Sequence, residues 1–283
     1  MSFLAILMVA VIVLSVIFSD TISLFLYGIG GGINEKTLNA GTELCEDIVE
    51  EGTVLLKNEQ DTSGASALPL TEDEISKVNV FGWAAYDWMT SAFGSGFSNT
   101  SLKKIKFFPA LQEAGIEYNT TLYNMYKNFY SNPVSSWGME LEEYRGDIKV
   151  GTDDKFILHE PGAAYYTNAV IEEAREFSSV ALVVIGRTGG EAADLRFSQE
   201  KQVQTNGSKN TTTVTDRHYL ELSTEEEEMI AAAKSACDKV IVLLNTSNTM
   251  ETGFLDDDGI DAALLVGLTG LTGVRSVINV LCG

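Results

Sequence analysis

The apolar run Ser179-Val180-Ala181-Leu182-Val183-Val184-Ile185 leads straight into Gly186-Arg187-Thr188-Gly189-Gly190-Glu191-Ala192-Ala193-Asp194, and this junction constrains the fold more than any other stretch. A short, continuous, β-branched run reads as a strand buried on both faces, the kind found in parallel sheets covered by helices on each side. In such sheets ligands bind outside the carboxyl ends of the strands. Arg187, Glu191 and Asp194 are therefore expected at a mouth rather than in a core, the plainer alternative being an ordinary loop with solvated charges.

The same rhythm runs through the rest of the chain. The pattern predicts a helix over 42–51, a strand over 53–57, a strand over 77–81 ending in Gly82, and a Gly- and Ser-rich loop at Phe93-Gly94-Ser95-Gly96. A helix over 102–114, a strand over 116–118 and a helix over 121–130 follow, then an irregular insertion over 131–161. Order resumes with a helix over 166–177, the strand over 180–185, a long polar loop to Arg217, and a helix over 224–237 opened by the capping-box pair Ser223 and Glu226. Strands over 239–244 and 262–266 and a helix over 272–281 complete the chain. Strands alternating with helices predict an α/β sandwich over 34–283, a mostly parallel sheet with helices on both faces.

Residues 1–30 have a different character. Met1 to Ser19 is almost uninterrupted apolar sequence, a second apolar patch spans Ile22 to Ile29, and Gly28–Gly32 forms a joint. The expectation is an N-terminal apolar helix serving as an uncleaved membrane anchor, with the globular part on the extracytoplasmic face. A cleaved signal peptide would want a basic n-region and a small-x-small cleavage site, which are not evident. Five Asn-x-Ser/Thr sequons, at Asn99, Asn119, Asn206, Asn210 and Asn245, read as chance in an Asn- and Thr-rich sequence.

Charge and chemistry narrow the function. A formal net charge of -21 excludes nucleic acid as a partner, because phosphate binding needs clustered Lys and Arg. Cys45, Cys237 and Cys282 show no CxxC or Cys/His spacing, and His159 and His218 have no partner at metal-ligand spacing, so neither a metal nor a cofactor is expected.

Several segments, taken in order, resemble the second domain of glycoside hydrolase family 3. Glu51-Gly52-Thr53-Val54-Leu55-Leu56-Lys57-Asn58-Glu59 with Leu68-Pro69-Leu70 is similar to the family's opening signature, and Val78 to Gly82 followed by Gly94-Ser95-Gly96 is similar to its next pair. Ile185 to Asp194 resembles its Gly-Arg-x-x-Gly-Glu-Gly-x-Asp loop, with Ala192 where the family has Gly. Asp216-Arg217 before Tyr219-Leu220-Glu221-Leu222 resembles a further segment, and the helix after Gly267-Leu268-Thr269-Gly270 sits where the family has its closing turn.

The resemblance implies a retaining β-glycosidase of the β-glucosidase type, acting on a small glycoside or oligosaccharide. Retention needs one carboxylate to attack the anomeric carbon and a second carboxyl, ~5–5.5 Å away, to protonate the leaving oxygen. In the family the nucleophile is an Asp in a Ser-Asp-Trp motif on a β/α barrel, and no such motif occurs here; Asp87-Trp88 falls inside the second-domain pattern. The chain thus resembles the front part of a permuted, membrane-anchored member, its barrel partner supplying the nucleophile. The resemblance places the general acid/base at Glu191, with Glu200 and then Asp194 as alternatives. Arg187, Asp194, Asp216, Arg217 and Trp83 are expected to bind substrate, and Tyr86 and Trp88 share the option of stacking on a sugar ring. The other readings are a non-catalytic carbohydrate-binding or scaffolding domain and an unrelated flavodoxin-like binding module.

Overall fold

The computed structural model describes residues 2–19, 21, 23, 34–92, 94–96, 102–131, 158, 160–191, 194–205 and 208–283. Contacts divide the chain into Met1–Gly41 and Thr42–Gly283. In the first unit, helix α1 spans Ser2–Ile17 and exposes its apolar side chains from Ile6 to Ile17. Its 16 residues reach ~24 Å at the usual rise, short of a ~30 Å hydrocarbon core. Among the described residues no helix is long and apolar enough to cross a membrane, so the spanning anchor expected at the N-terminus has no counterpart there. The Gly28–Gly32 joint lies outside the described residues. Helix α2, Glu35–Gly52, contains the division between the units, and Asn34 Oδ1 accepts the Thr37 N–H at its start.

The second unit is built on a six-stranded sheet. Its elements in chain order are β1 (Val54–Asn58), α3 (Glu72–Ile75), β2 (Lys77–Phe81), α4 (Trp83–Tyr86), α5 (Phe107–Glu113), β3 (Glu117–Tyr118) and α6 (Thr120–Ser131). After them come α7 (Asn168–Phe177), β4 (Val180–Arg187), β5 (Ser198–Thr205), β6 (Ser208–His218), α8 (Thr224–Ala236), β7 (Lys239–Thr246), β8 (Ala262–Leu265) and α9 (Val274–Cys282). The strand order is β1-β8-β7-β4-β2-β3, with every pair parallel except β1 with β8. The β4–β7 ladder is the longest, running from Val180 opposite Lys239 to Arg187 opposite Thr246.

Side-chain alternation along β4 explains why this sheet is central. Val180, Leu182 and Val184 enter one core with Val78, Val80, Ile241 and Leu243, packed by Trp83, Phe107, Leu111 and Val277 from α4, α5 and α9. Ala181, Val183 and Ile185 enter the other with Val240, Val242 and Leu244, packed by Ala174, Met229 and Ala233 from α7 and α8. A strand with two buried faces has no polar alternate residues, which is why its run is continuous.

Three features lie beyond what the sequence pattern showed, the first of them a correction to the long polar loop expected before Arg217. The polar stretch before Arg217 is an antiparallel hairpin, β5 with β6, which among the described residues forms a two-stranded sheet of its own. The first strand is an antiparallel edge, whose Val54, Leu55 and Leu56 stay 41–52% exposed. The loop after β2 carries the additional helix α4, and Gly82 makes its entry possible. That residue has φ 101°, and a Cβ there would lie 2.1 Å from the Val184 carbonyl oxygen. Of the insertion expected over 131–161, residues 132–157 and 159, His159 included, lie outside the described residues.

Candidate active site

The chain leaves β2 toward β3 on one side and returns through β4 on the other, continuing outward to β7 and β8. This reversal makes the gap between the carboxyl ends of β2 and β4 the topological switch point, where loops from adjacent strands diverge and leave a crevice. The loops after these two strands meet at Ser95 and Glu191. Glu191 is exposed, and its Oε2 accepts the Ser95 N–H at 2.8 Å and also the Ser95 hydroxyl. Gly94, at φ 78°, lets the two loops touch, because a Cβ on it would stand 2.6 Å from the Glu191 Cβ. The Ser95 hydroxyl and then its amide hold the Glu191 carboxyl below the usual glutamate pKa.

Arg187 corrects the expectation drawn for it. The guanidinium is fully buried: Nε donates to the Tyr219 carbonyl, Nη1 to the Gly186 carbonyl and Glu226 Oε1, and Nη2 to the Glu221 carbonyl and Glu226 Oε2. A guanidinium has five N–H donors, and these contacts use all five, leaving none for a sugar hydroxyl. Burial works against its charge, but the Glu226 carboxylate 2.5 Å away more than offsets that and raises the pKa. Glu226 does double duty, since its Oε2 also accepts the Ser223 N–H in the capping box of α8. The pair therefore ties the end of β4 to the turn after β6 and the start of α8, as a floor under the mouth.

The other named residues divide between floor and surface. Trp83 is 2% exposed and packs in the first core, so it cannot stack on a ligand ring; Tyr86 and Trp88 are also buried. Trp88 stacks on Phe107 at 4.9 Å and donates to Thr269 Oγ1, which places Asp87-Trp88 in the sandwich's own architecture. Arg217 makes a two-pronged pair with Glu227 and also donates to the Leu222 carbonyl, while Asp216 is exposed on β6. Glu200 lies on β5, half-buried, with Arg196 Nε 3.4 Å from its Oε1. Asp194 is exposed beyond Glu191, and Ala192 lies outside the described residues. Among the described residues no three His, Cys, Asp or Glu side chains converge as a metal site.

Two positioning groups escape sequence reasoning. Asn245, at the end of β7, accepts the Met89 N–H and donates to the Met89 and Gly267 carbonyls, joining the loops after β2 and β8. Its sequon marked it, but the residue is fully buried, as Asn119 nearly is. Glu160 is buried too: Oε2 accepts the Trp83 N–H, and Oε1 accepts the Tyr126 and Tyr166 hydroxyls. The Tyr126 oxygen in turn accepts the Gly82 N–H. Burial pushes the Glu160 carboxyl up to about 8. No sequence signal distinguished Glu160 from the other carboxylates, because Trp83 and Tyr126, which meet it, lie 77 and 34 residues away in the chain.

The fold is a doubly wound α/β sandwich with the Glu191 carboxylate at its β2/β4 switch point. Residues 53–283 match the Glycosyl hydrolase family 3 C-terminal domain, and the chain belongs to that family. It is 25% identical over 249 residues to a beta-glucosidase of Ruminococcus albus, covering 87% of this chain and 22% of the relative. It is 24% identical over 252 residues to beta-glucosidase A of Butyrivibrio fibrisolvens, covering 85% and 27%. The chain thus spans about a quarter of the length of these relatives. Among solved structures, a beta-glucosidase from Paenibacillus barengoltzii superposes with a TM-score of 0.61 at 25% identity, covering 86% of this chain and 23% of that one. Beta-glucosidase 3B from Thermotoga neapolitana, in complex with alpha-D-glucose, superposes with a TM-score of 0.63 at 24% identity, covering 89% and 30%, and carries the fold comparison alone.

Proposed function

We propose that this chain supplies the general acid/base half of a retaining β-glucosidase-type site, completed by a barrel domain that carries the nucleophile. The observation that carries the reading is the exposed Glu191 carboxylate, clasped by Ser95 at the β2/β4 switch point. Family membership and the beta-glucosidase relatives support the reaction class. In the first step Glu191 gives its proton to the leaving glycosidic oxygen as the nucleophile takes the anomeric carbon; in the second it removes a proton from the attacking water. The second role needs the ionised form, which the Ser95 donors favour. A barrel docked over the mouth would exclude water and raise the carboxyl toward the value the first role needs. The non-catalytic sugar-binding reading has less support, because Trp83, Tyr86 and Trp88, the candidates for a stacking platform, are all buried.

The test is the leaving-group dependence of Glu191→Ala with the domain and barrel together. Aryl glycosides with acidic phenols should lose little in glycosylation, and glycosides with poor leaving groups should lose ~10²–10⁴-fold. Azide should restore part of the turnover of the activated substrates by attacking the glycosyl-enzyme without base help. A loss below tenfold on the poor substrate, or the same signature in Glu200→Ala instead, removes Glu191 from the role.

A further inference from the structure

We infer that Ser95 is the positioning residue for Glu191, and that it dictates which carboxyl oxygen exchanges the proton. The inference rests on the acid/base reading above and adds to it a residue from the opposite loop. Both Ser95 contacts fall on Oε2, one from the backbone amide and one from the hydroxyl, across a sequence separation of 96. An sp² carboxylate oxygen has two lone pairs, and these two donors occupy both. The amide N–H cannot turn into an acceptor. A proton arriving on Oε2 would compete with the fixed amide donor and would force the Ser95 hydroxyl to turn round and accept, whereas Oε1 takes neither contact. The transferable proton therefore resides on Oε1: it passes from there to the leaving oxygen, which keeps the electron pair of the broken C–O bond, and Oε1 later takes the proton of the attacking water.

The backbone supports the same conclusion. Ser95 lies in the Gly94–Gly96 turn, and Gly94 adopts a left-handed φ of 78° directly against Glu191, where any Cβ would push the carboxylate away. Loop and side chain are thus shaped to each other at the switch point. The clasp also favours the ionised carboxylate, since the hydroxyl and the amide both donate to it.

Two measurements test this. In the 283-residue chain, a carbon-13 NMR titration should find the Glu191 carboxyl below the usual glutamate value, Ser95→Ala should raise it, and Ser95→Thr, which keeps the hydroxyl, should hold it low. In the active domain-plus-barrel protein, the basic limb of kcat/KM for a poor-leaving-group glycoside reports the acid form. That limb should move to higher pH in Ser95→Ala and return in Ser95→Thr. An equal drop at every pH with unmoved limbs would mean a merely structural serine and would overturn the inference. The failure is separable from that of the underlying reading: if Glu191→Ala shows the leaving-group signature while Ser95→Ala leaves both the titration and the limb in place, Glu191 keeps its role and Ser95 loses this one.

Discussion

Arg187 and Glu191 stand four residues apart on one strand-to-loop segment, yet the first is sealed and the second open to solvent. Arg187 is the last residue of β4, still inside the ladder opposite Thr246, so its side chain must find partners within the fold. Glu226 and three backbone carbonyls satisfy it completely. Glu191 lies past the end of the ladder, where no core contact constrains it, and one serine holds it. A parallel sheet thus supplies a rigid floor and a presented group within one turn of chain. Residues on the floor should report in stability, and residues on the loop in chemistry.

The largest test of that division is Arg187→Met. Removing one partner of a buried pair leaves the other charge uncompensated, so the variant should lose about 3–5 kcal/mol in urea unfolding. Glu191→Ala should stay within about 0.5 kcal/mol of the parent, as exposed substitutions do. Comparable losses from the two would erase the contrast between floor and loop.

A subtler effect is expected from Glu160, a buried carboxyl with no cation beside it among the described residues, in contrast to Glu226. Its folded pKa of about 8 lies above the model-compound 4.5, so the unfolded chain ionises first as pH rises. The fold binds more protons than the unfolded chain between about 4.5 and about 8, and stability from this group falls with rising pH across that window. Urea midpoints across the window should show the decline in the parent and a flatter profile in Glu160→Gln. Parallel profiles would remove Glu160 as its source.

The smallest effect belongs to Arg217, whose pair with Glu227 is 34% and 49% exposed. Arg217→Ala should cost less than about 1 kcal/mol, with the loss shrinking as salt is added. A loss as large as that of Arg187→Met would place Arg217 in the floor as well.

Local signals in the chain carried most of this architecture. The continuous apolar runs at 180–185 and 239–244 marked strands buried on both faces, and Ser223 with Glu226 marked the start of α8, because burial pattern and capping depend on residues close in sequence. The β5/β6 hairpin was not legible: SQEKQVQT and SKNTTTVTDRH lack an apolar alternation, so polarity read as loop where backbone pairing between the two strands made a ribbon. The apolar leader was plain in composition, and Ser2–Ile17 of it forms helix α1. Tertiary structure alone decided which charges face water. Arg187 and Glu191 look equivalent in a Gly-rich loop, and only the β4–β7 register, with Glu226 arriving from 39 residues away, turns one inward and leaves the other at the mouth. A charge can be buried only where a counter-charge and acceptors converge on it, and that convergence is a property of the assembled sheet and helices rather than of any stretch of chain.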